Sequence, residues 1–245
     1  MHITTQGLVL RETSYKEADK ILTVLTREGG KRTVKARGCR RKNSPLAASA
    51  QLLVWSDMTL FEYRDYFTLN EAEALELFWG VRQDVEKLAL CSYFAEVTEL
   101  VAEEGRPDAG LLPLILNSLY ALDRLNRPLE LVKAAFELKL MCLEGYEPLL
   151  DACAVCGLPE PEQPALDLAE GVLRCGHCGS GGGPARVLDT AALAAMRHVV
   201  YGDPKRLFSF ALPPESLSRM AAACEGFLLA QLDRGFRTLD FYKTL

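Results

Sequence analysis

The sequence lacks the signatures that usually assign an enzyme or a membrane protein. It has only three histidines, His2, His177 and His198, and it contains no H-E-x-x-H, G-x-S-x-G or G-x-G-x-x-G motif and no P-loop. There is no apolar run near the ~20 residues that a membrane-spanning helix requires, and no signal-peptide pattern at the start. These absences favour a cytoplasmic protein that is not an enzyme. In particular, a nucleotide kinase with a zinc lid would need the missing phosphate-cradling loop.

Four of the eight cysteines form two short motifs of the type Cys-x-x-Cys-Gly. The motifs span residues 153–157 and 175–179, and 18 residues separate Cys156 from Cys175. Two facing turns with this spacing can offer four thiolates to one tetrahedral Zn²⁺. Such a site is closed to water, so we expect one structural zinc ion and no catalytic metal. The predicted ligands are Cys153, Cys156, Cys175 and Cys178, with His177 as a non-ligand.

The surroundings of the metal motifs and of the other cysteines support further expectations. Residues 151–184 hold few apolar side chains, so the metal is expected to order this segment. The glycine after each second cysteine suits a turn with left-handed backbone. Cys39 lies in a basic stretch and is expected to be an exposed thiol. Inert positions in apolar helices are expected for Cys91, Cys142 and Cys224.

Positive charge is concentrated at the N-terminal end of an otherwise acidic chain. Residues 1–42 carry a net charge of +7, whereas residues 43–245 carry −12. This asymmetry excludes a uniformly basic, histone-like protein and indicates a local surface for anions such as nucleic-acid phosphates. The alternative is a solvated edge that prevents strand-to-strand aggregation. The predicted DNA contacts are Lys31, Arg32, Lys35 and Arg37 on a strand and Arg40, Arg41 and Lys42 in the following loop.

Aromatic side chains near the basic segment have two interpretations. Tyr15, Trp55, Tyr63 and Tyr66 can stack on nucleic-acid bases. They can equally be core or ordinary surface residues, and the sequence favours this second interpretation.

The hydrophobic patterns predict an α+β protein of several domains. Five short strands in about 70 residues fit a small closed barrel, either an OB-fold or an SH3-like barrel. From about residue 80 the pattern is helical and predicts a bundle with the cysteine module inserted in it. Glu71, Glu73 and Glu76 are then expected on a solvated helix face. The predicted division is residues 1–79 for the barrel, 80–150 and 185–245 for the helical domain, and 151–184 for the zinc-finger module.

The order of these parts resembles the RecO family of bacterial recombination mediators. The resemblance rests on the opening residues 7–11, on the basic stretch Lys35-Ala36-Arg37-Gly38-Cys39-Arg40-Arg41-Lys42-Asn43-Ser44, and on Gly145-Tyr146-Glu147-Pro148 leading into Cys153. It covers nearly the whole chain, and Cys39 departs from the usual family pattern. The resemblance favours an OB-fold for the barrel.

The resemblance implies a DNA repair and recombination protein that is cytoplasmic and associated with the nucleoid. RecO-like proteins bind single- and double-stranded DNA and anneal complementary strands. With RecR they help RecA to displace single-strand-binding protein (SSB), whose C-terminal tail they contact. They have no catalytic residues to carry over to this sequence. The alternative is a zinc-ribbon RNA-binding or transcription-associated module with no role in recombination.

Overall fold

The N-terminal strands close into a barrel in this structure, a computed structural model that describes residues 1–64, 66–179 and 181–245. The strands are β1 (His2–Tyr15), β2 (Asp19–Thr26), β3 (Gly30–Ala36), β4 (Trp55–Tyr63) and β5 (Tyr66–Glu76). They follow the order β1-β2-β3-β5-β4, and β4 pairs back onto β1. β3 and β5 are parallel, whereas the other neighbours are antiparallel. The predicted OB-fold is therefore confirmed over the SH3-like alternative.

The barrel interior follows from the two-residue period of the strands. Leu22 and Val24 of β2 and Val34 and Ala36 of β3 point inward and are fully buried, because alternate side chains lie on opposite faces of a strand. Their neighbours on β4 and β5 extend the same core. The outward positions remain available for polar and aromatic side chains.

The loop after β3 contributes Cys39 to this core. The Cys39 side chain is only 3% exposed and packs in the barrel interior, so the expectation of an exposed thiol is wrong. Loss of hydration on burial raises the pKa of the Cys39 thiol. The basic neighbours Arg40 and Arg41 are exposed, and the chain reversal thus separates the thiol from the charges beside it in sequence.

In the described residues that follow the barrel, the chain forms seven α-helices, one 3₁₀ turn (Pro204–Arg206) and three short strands. The helices are α1 (Trp79–Arg82), α2 (Val85–Val101), α3 (Leu111–Arg124), α4 (Leu129–Leu143), α5 (Thr190–Tyr201), α6 (Pro214–Leu232) and α7 (Arg237–Tyr242). The strands β6 (Ala165–Asp167), β7 (Val172–Arg174) and β8 (Ala185–Val187) form a sheet in the order β7-β6-β8. Helix starts follow the sequence: the Asp84 carboxylate accepts bonds from two backbone N–H groups at the start of α2. No helix in the described parts of the chain is long and apolar enough to cross a membrane.

The chain divides into two compact units. One comprises residues 1–124 together with 236–245, and the other comprises residues 125–235. The first holds the barrel with α1, α2, α3 and α7, and the second holds α4, α5, α6 and the β6–β8 sheet. The four-part domain division drawn from the sequence stays a prediction.

The acidic residues after the barrel lie on a strand. Glu71, Glu73 and Glu76 belong to β5, so the predicted helix face is wrong. β5 continues through these residues because β4 pairs with it over its whole length; for example, Asp57 lies opposite Glu73. Cross-strand hydrogen bonds from β4 thus override the local preference of this Glu- and Ala-rich segment for a helix.

The β6–β8 sheet has its own apolar core. Leu166, Leu168 and Leu173 are buried, and Leu168 packs close to Gly226 of α6, where an added Cβ would lie 2.9 Å from its Cδ1. The absence of a side chain at Gly226 therefore allows the sheet to approach the helix. The shortage of apolar side chains assumed for residues 151–184 is wrong for the sheet, where these leucines bury apolar surface. Ordering of this segment by a metal stays a prediction.

Candidate nucleic-acid interface and metal centre

An open groove with a volume of about 810 Å³ lies on the outer surface of the barrel. Its floor follows one row of paired positions: Ile21 faces Lys35, Lys35 faces Thr68, Thr68 faces Phe61, and Phe61 faces His2. The row crosses β2, β3, β5, β4 and β1, so every strand of the barrel contributes to the groove.

The groove carries aromatic rings that are open to solvent. Tyr63 and Tyr66 lie opposite each other on β4 and β5 and are 59% and 78% exposed. Tyr15 and Phe61 are also exposed, and the Phe61 ring centroid lies 5.3 Å from that of His2. Flat rings held on a rigid sheet provide platforms on which nucleobases stack, because every base has a π-face.

Two cationic side chains line the same groove. The Lys35 ammonium lies 3.2 Å from Asp19 Oδ2 and 4.8 Å from the centre of the Tyr15 ring. Arg37 is exposed just after the end of β3. The groove therefore combines positive charge for phosphates with rings for bases.

Asp19 connects the groove to the basic loop that follows β3. Its Oδ1 atom accepts a hydrogen bond of 2.9 Å from the backbone N–H of Gly38. This bond, together with the Lys35 ammonium, lowers the pKa of the Asp19 carboxyl. The Arg40 backbone N–H also donates to the Ala18 carbonyl at 3.0 Å. The loop is thus fastened to the β1–β2 turn while the side chains of Arg40, Arg41 and Lys42 remain exposed.

The four cysteines of the two Cys-x-x-Cys motifs meet at one point. The sulfur atoms of Cys153, Cys156, Cys175 and Cys178 all lie within 4.8 Å of one another. The Cys156 and Cys175 sulfurs are 3.8 Å apart, which matches the edge of about 3.8 Å of a sulfur tetrahedron with metal–sulfur bonds of ~2.3 Å. The set fits a metal ion that favours four soft ligands. His177 is exposed and lies outside this group.

Backbone N–H groups prepare the sulfurs for metal binding. The Cys175 N–H donates to Cys153 Sγ at 3.3 Å, and the Cys178 N–H donates to Cys175 Sγ at 3.4 Å. Hydrogen bonding, chiefly from the Cys156 backbone, lowers the pKa of Cys153 to about 6. Gly157 and Gly179 have φ values of 74° and 73°, so the expected left-handed turns are present. Thiolates are the metal-binding form of cysteine, and the backbone bonds favour this form at Cys153. At Cys178 the side-chain hydrogen bond with Cys175, together with burial, instead raises the pKa of the thiol to about 12.

Comparison with known families decides the identity of this architecture. The model for the Recombination protein O N terminal matches residues 1–78, and that for the Recombination protein O C terminal matches residues 82–240. The chain belongs to the RecO family. The DNA repair protein RecO of Acetivibrio thermocellus is 31% identical over 245 residues, which cover 100% of this chain and 97% of that protein. DNA repair protein RecO of Symbiobacterium thermophilum is 34% identical over 244 residues, covering 98% and 96% of the two chains.

The basic residues of this RecO-family chain fall into two structural groups. Lys35 and Arg37 line the groove, and the exposed cations of the following loop come next in the chain. Lys31 instead donates from its ammonium to the Glu99 carbonyl in the last turn of α2 at 2.8 Å. The Arg32 guanidinium lies 4.3 Å from the centre of the Phe67 ring. Among the described side chains, Lys31 and Arg32 do not line the groove. DNA contact stays a prediction for the whole set.

Sequence reasoning missed two exposed rings of this RecO-family groove, Phe61 and His2. The alternating pattern predicts that Phe61 lies in a strand but not that it lines a groove, and His2 belongs to no recognisable motif. Trp55 was considered for stacking, but it is half-buried and is not a groove residue in the described structure. The available signal was the two-residue period of β4, which places Phe61 on the same face as Tyr63.

Proposed function

We propose that this chain is a non-enzymatic DNA repair and recombination mediator. It binds single- and double-stranded DNA, anneals complementary strands and, with RecR, promotes RecA loading on single strands coated with SSB, whose C-terminal tail it contacts. The observation that carries the proposal is the groove that holds exposed aromatic rings together with Lys35 and Arg37. Membership of the RecO family supports the repair role and the choice of partners.

The groove suits single strands for a physical reason. Unpaired bases can stack on Tyr63 and Tyr66, and phosphates can pair with Lys35, Arg37 and the cationic loop. Both interactions ignore base identity, as a mediator that acts at any sequence requires. A strand held by its base faces and its backbone also keeps hydrogen-bonding edges free for a complementary strand.

The metal centre has a structural role in this proposal. Four cysteines supply four soft ligands, which favours Zn²⁺ in a closed tetrahedral site. When bound, the ion links the two knuckles, by which we mean the turns at residues 153–157 and 175–179. The cysteine side chains hold the knuckles together, and no position remains for an activated water.

The salt dependence of DNA affinity tests the interface. Replacing Lys35, Arg37, Arg40 and Arg41 by Ala is expected to weaken binding of a single-stranded oligonucleotide and to flatten the plot of log affinity against log salt. Each lost phosphate contact reduces the slope by ~0.7 for single strands, so losing all four reduces it by about 3. Fluorescence anisotropy at several salt concentrations measures both quantities. Unchanged affinity and slope would refute the assignment of the interface.

Matched pairs of adjacent cations provide the control. The double variant Arg40→Ala/Arg41→Ala removes two exposed charges from the loop, and Lys205→Ala/Arg206→Ala removes two exposed charges from the second unit. Only the first pair is expected to change the slope. Equal changes would mean that net charge, rather than this surface, governs binding.

Strand annealing separates the mediator from an RNA-binding or transcription-associated module. The purified protein is expected to accelerate pairing of complementary strands coated with SSB. RecA loading on such strands is expected to require RecR in addition, without ATP turnover by this chain. Binding to RNA without accelerated annealing would favour the alternative.

A further inference from the structure

A single arginine of α5 holds both flanks of the first knuckle. On one flank, Arg197 Nε donates to the Leu150 carbonyl at 2.9 Å, and Nη2 donates to the Asp151 carbonyl at 3.1 Å. On the other flank, Nη2 donates to the Pro159 carbonyl at 2.6 Å, and Nη1 pairs with Glu160 Oε1 at 2.7 Å. The guanidinium thus closes a loop that contains Cys153 and Cys156.

The first knuckle has little burial of its own to fix its position. Residues 154–160 are all exposed. Toward the sheet, the Ala154 N–H donates to the Leu173 carbonyl at 2.8 Å. The second knuckle contacts the first through Cys175, and the remaining described hydrogen bonds to residues 150–160 from outside this segment come from α5. One turn after Arg197, the Tyr201 hydroxyl accepts a bond of 3.0 Å from the Leu150 N–H.

We propose that Arg197 is a positioning residue for the metal centre. It keeps the flanks of the knuckle together, so that Cys153 and Cys156 face the second pair before the ion arrives. Pre-forming the loop lowers the entropic cost of ordering it when the metal binds. By linkage, bound metal should in turn stabilise α5 against local opening.

The chemistry of the contacts requires arginine. The planar guanidinium offers five N–H donors in a fixed fork, and at this site they reach three carbonyls and one carboxylate. Lysine has a compact ammonium on a flexible stem and cannot place donors over the same width. Arg197→Lys is therefore expected to keep the positive charge near Glu160 but to lose part of the clamp.

Metal transfer to a chelator tests the proposal on the full-length, zinc-loaded protein. Groups that orient metal ligands typically change metal affinity by roughly 10- to 100-fold when they are removed. If that loss lies in the dissociation rate, Arg197→Ala releases Zn²⁺ to a chromophoric chelator faster by the same factor. Arg197→Lys should fall between this variant and the parent. Lys139→Ala is the matched control. The Lys139 ammonium of α4 donates to the Val200 carbonyl of α5, the helix that carries Arg197, at 3.2 Å and does not contact the knuckle. Its release rate should be that of the parent protein.

Two further measurements distinguish positioning from general destabilisation. Cobalt-substituted Arg197→Ala should show the parent's thiolate-to-cobalt bands at saturation, because the four ligands remain. In urea, the free energy of unfolding should differ less between variant and parent for the metal-free proteins than for the zinc-loaded proteins.

The inference is overturned if the rate of zinc release is unchanged, or if the metal-free and zinc-loaded forms lose equal stability. Should Arg197→Ala not fold, Arg197→Lys and Glu160→Gln carry the same test, and parent-like release from both would overturn it. None of these readouts depends on DNA binding.

Discussion

Lys31 and Arg37 lie at opposite ends of the same basic strand region and should respond differently to truncation. Both were predicted from sequence to contact DNA. The structure places Arg37 in the groove and directs the Lys31 ammonium to the carboxyl end of α2. Replacing each by Ala therefore tests whether the groove, or simply the local density of charge, defines the interface.

The expected size of the Lys31 effect follows from its partner. Glu99 belongs to the last turn of α2, whose final carbonyls have no partner within the helix. An ammonium at 2.8 Å both satisfies this carbonyl and interacts with the negative end of the helix dipole. Such a contact contributes about 1–2 kcal/mol when partly buried. Lys31→Ala should therefore lower the free energy of unfolding by about that amount and leave the salt slope of DNA binding unchanged.

Arg37 is expected to show the reverse. Its side chain is exposed, so Arg37→Ala should change the free energy of unfolding by less than ~0.5 kcal/mol. It should remove one phosphate contact and reduce the salt slope by ~0.7. Chemical denaturation measures the first quantity, and fluorescence anisotropy of a labelled oligothymidine at several salt concentrations measures the second.

The comparison has a clear contrary outcome. If Lys31→Ala reduced the salt slope as much as Arg37→Ala while leaving stability intact, the Lys31 ammonium would be binding phosphate and not α2. The DNA-binding surface would then extend beyond the groove toward the start of β3. A stability loss together with an unchanged slope would confirm the structural role of Lys31.

Three further predictions concern other parts of the chain. Protein purified under reducing conditions should contain about one zinc per chain, and Cys156→Ser should lose it; hydrogen exchange should then show opened knuckles but protected amides in β6 and β7. Lys133→Met should lower the free energy of unfolding by about 3–5 kcal/mol in urea, because it removes the ammonium that lies 2.8 Å from the fully buried Glu137 carboxylate. Burial by itself lowers the pKa of Lys133. The carboxylates of Glu137 and Glu225 raise the pKa by more than burial lowers it, so it lies above the ordinary value of 10.5. The stabilisation of the fold by the protonated Lys133 ammonium should therefore be complete below pH 10.5 and be lost as pH rises through the folded-state pKa. Glu73→Gln should raise the free energy of unfolding by up to ~1 kcal/mol, because it removes a like charge opposite Asp57; a lower denaturation midpoint would contradict this.

The sequence patterns predicted elements well because elements depend on local periodicity. The apolar alternation around Val24 and Val34 marked a hairpin, and the helix after Asp189 begins where its capping residue stands. The four metal ligands could likewise be predicted from the sequence, because Cys-x-x-Cys spacing is a local constraint. The short strands β6, β7 and β8 and the helix α7 gave no periodic signal, because elements of three to six residues are too short to show one.

Side-chain destinations were harder to predict because they depend on distant partners. The contact of the Lys31 ammonium could not be predicted from the sequence, because it depends on α2 ending beside β3. Cys39 enters the core because the chain reverses after Gly38, and charge in the neighbouring sequence gave no indication of that turn. The alternation along β4 identified a strand, but it did not indicate which of its two faces was buried.

Barrel closure explains why the groove residues are scattered along the chain. Lys35 and Phe61 are far apart in sequence, yet both pair with Thr68 from opposite sides. That arrangement exists only because β5 lies between β3 and β4, parallel to one and antiparallel to the other. The inward residues that close the barrel, such as Val34 and Leu60, therefore determine whether cations and rings meet on its outer surface. Substitutions of buried residues that shift the β3–β5 register by one position would turn the outward side chains of β5 inward and dismantle the groove without touching any residue in it.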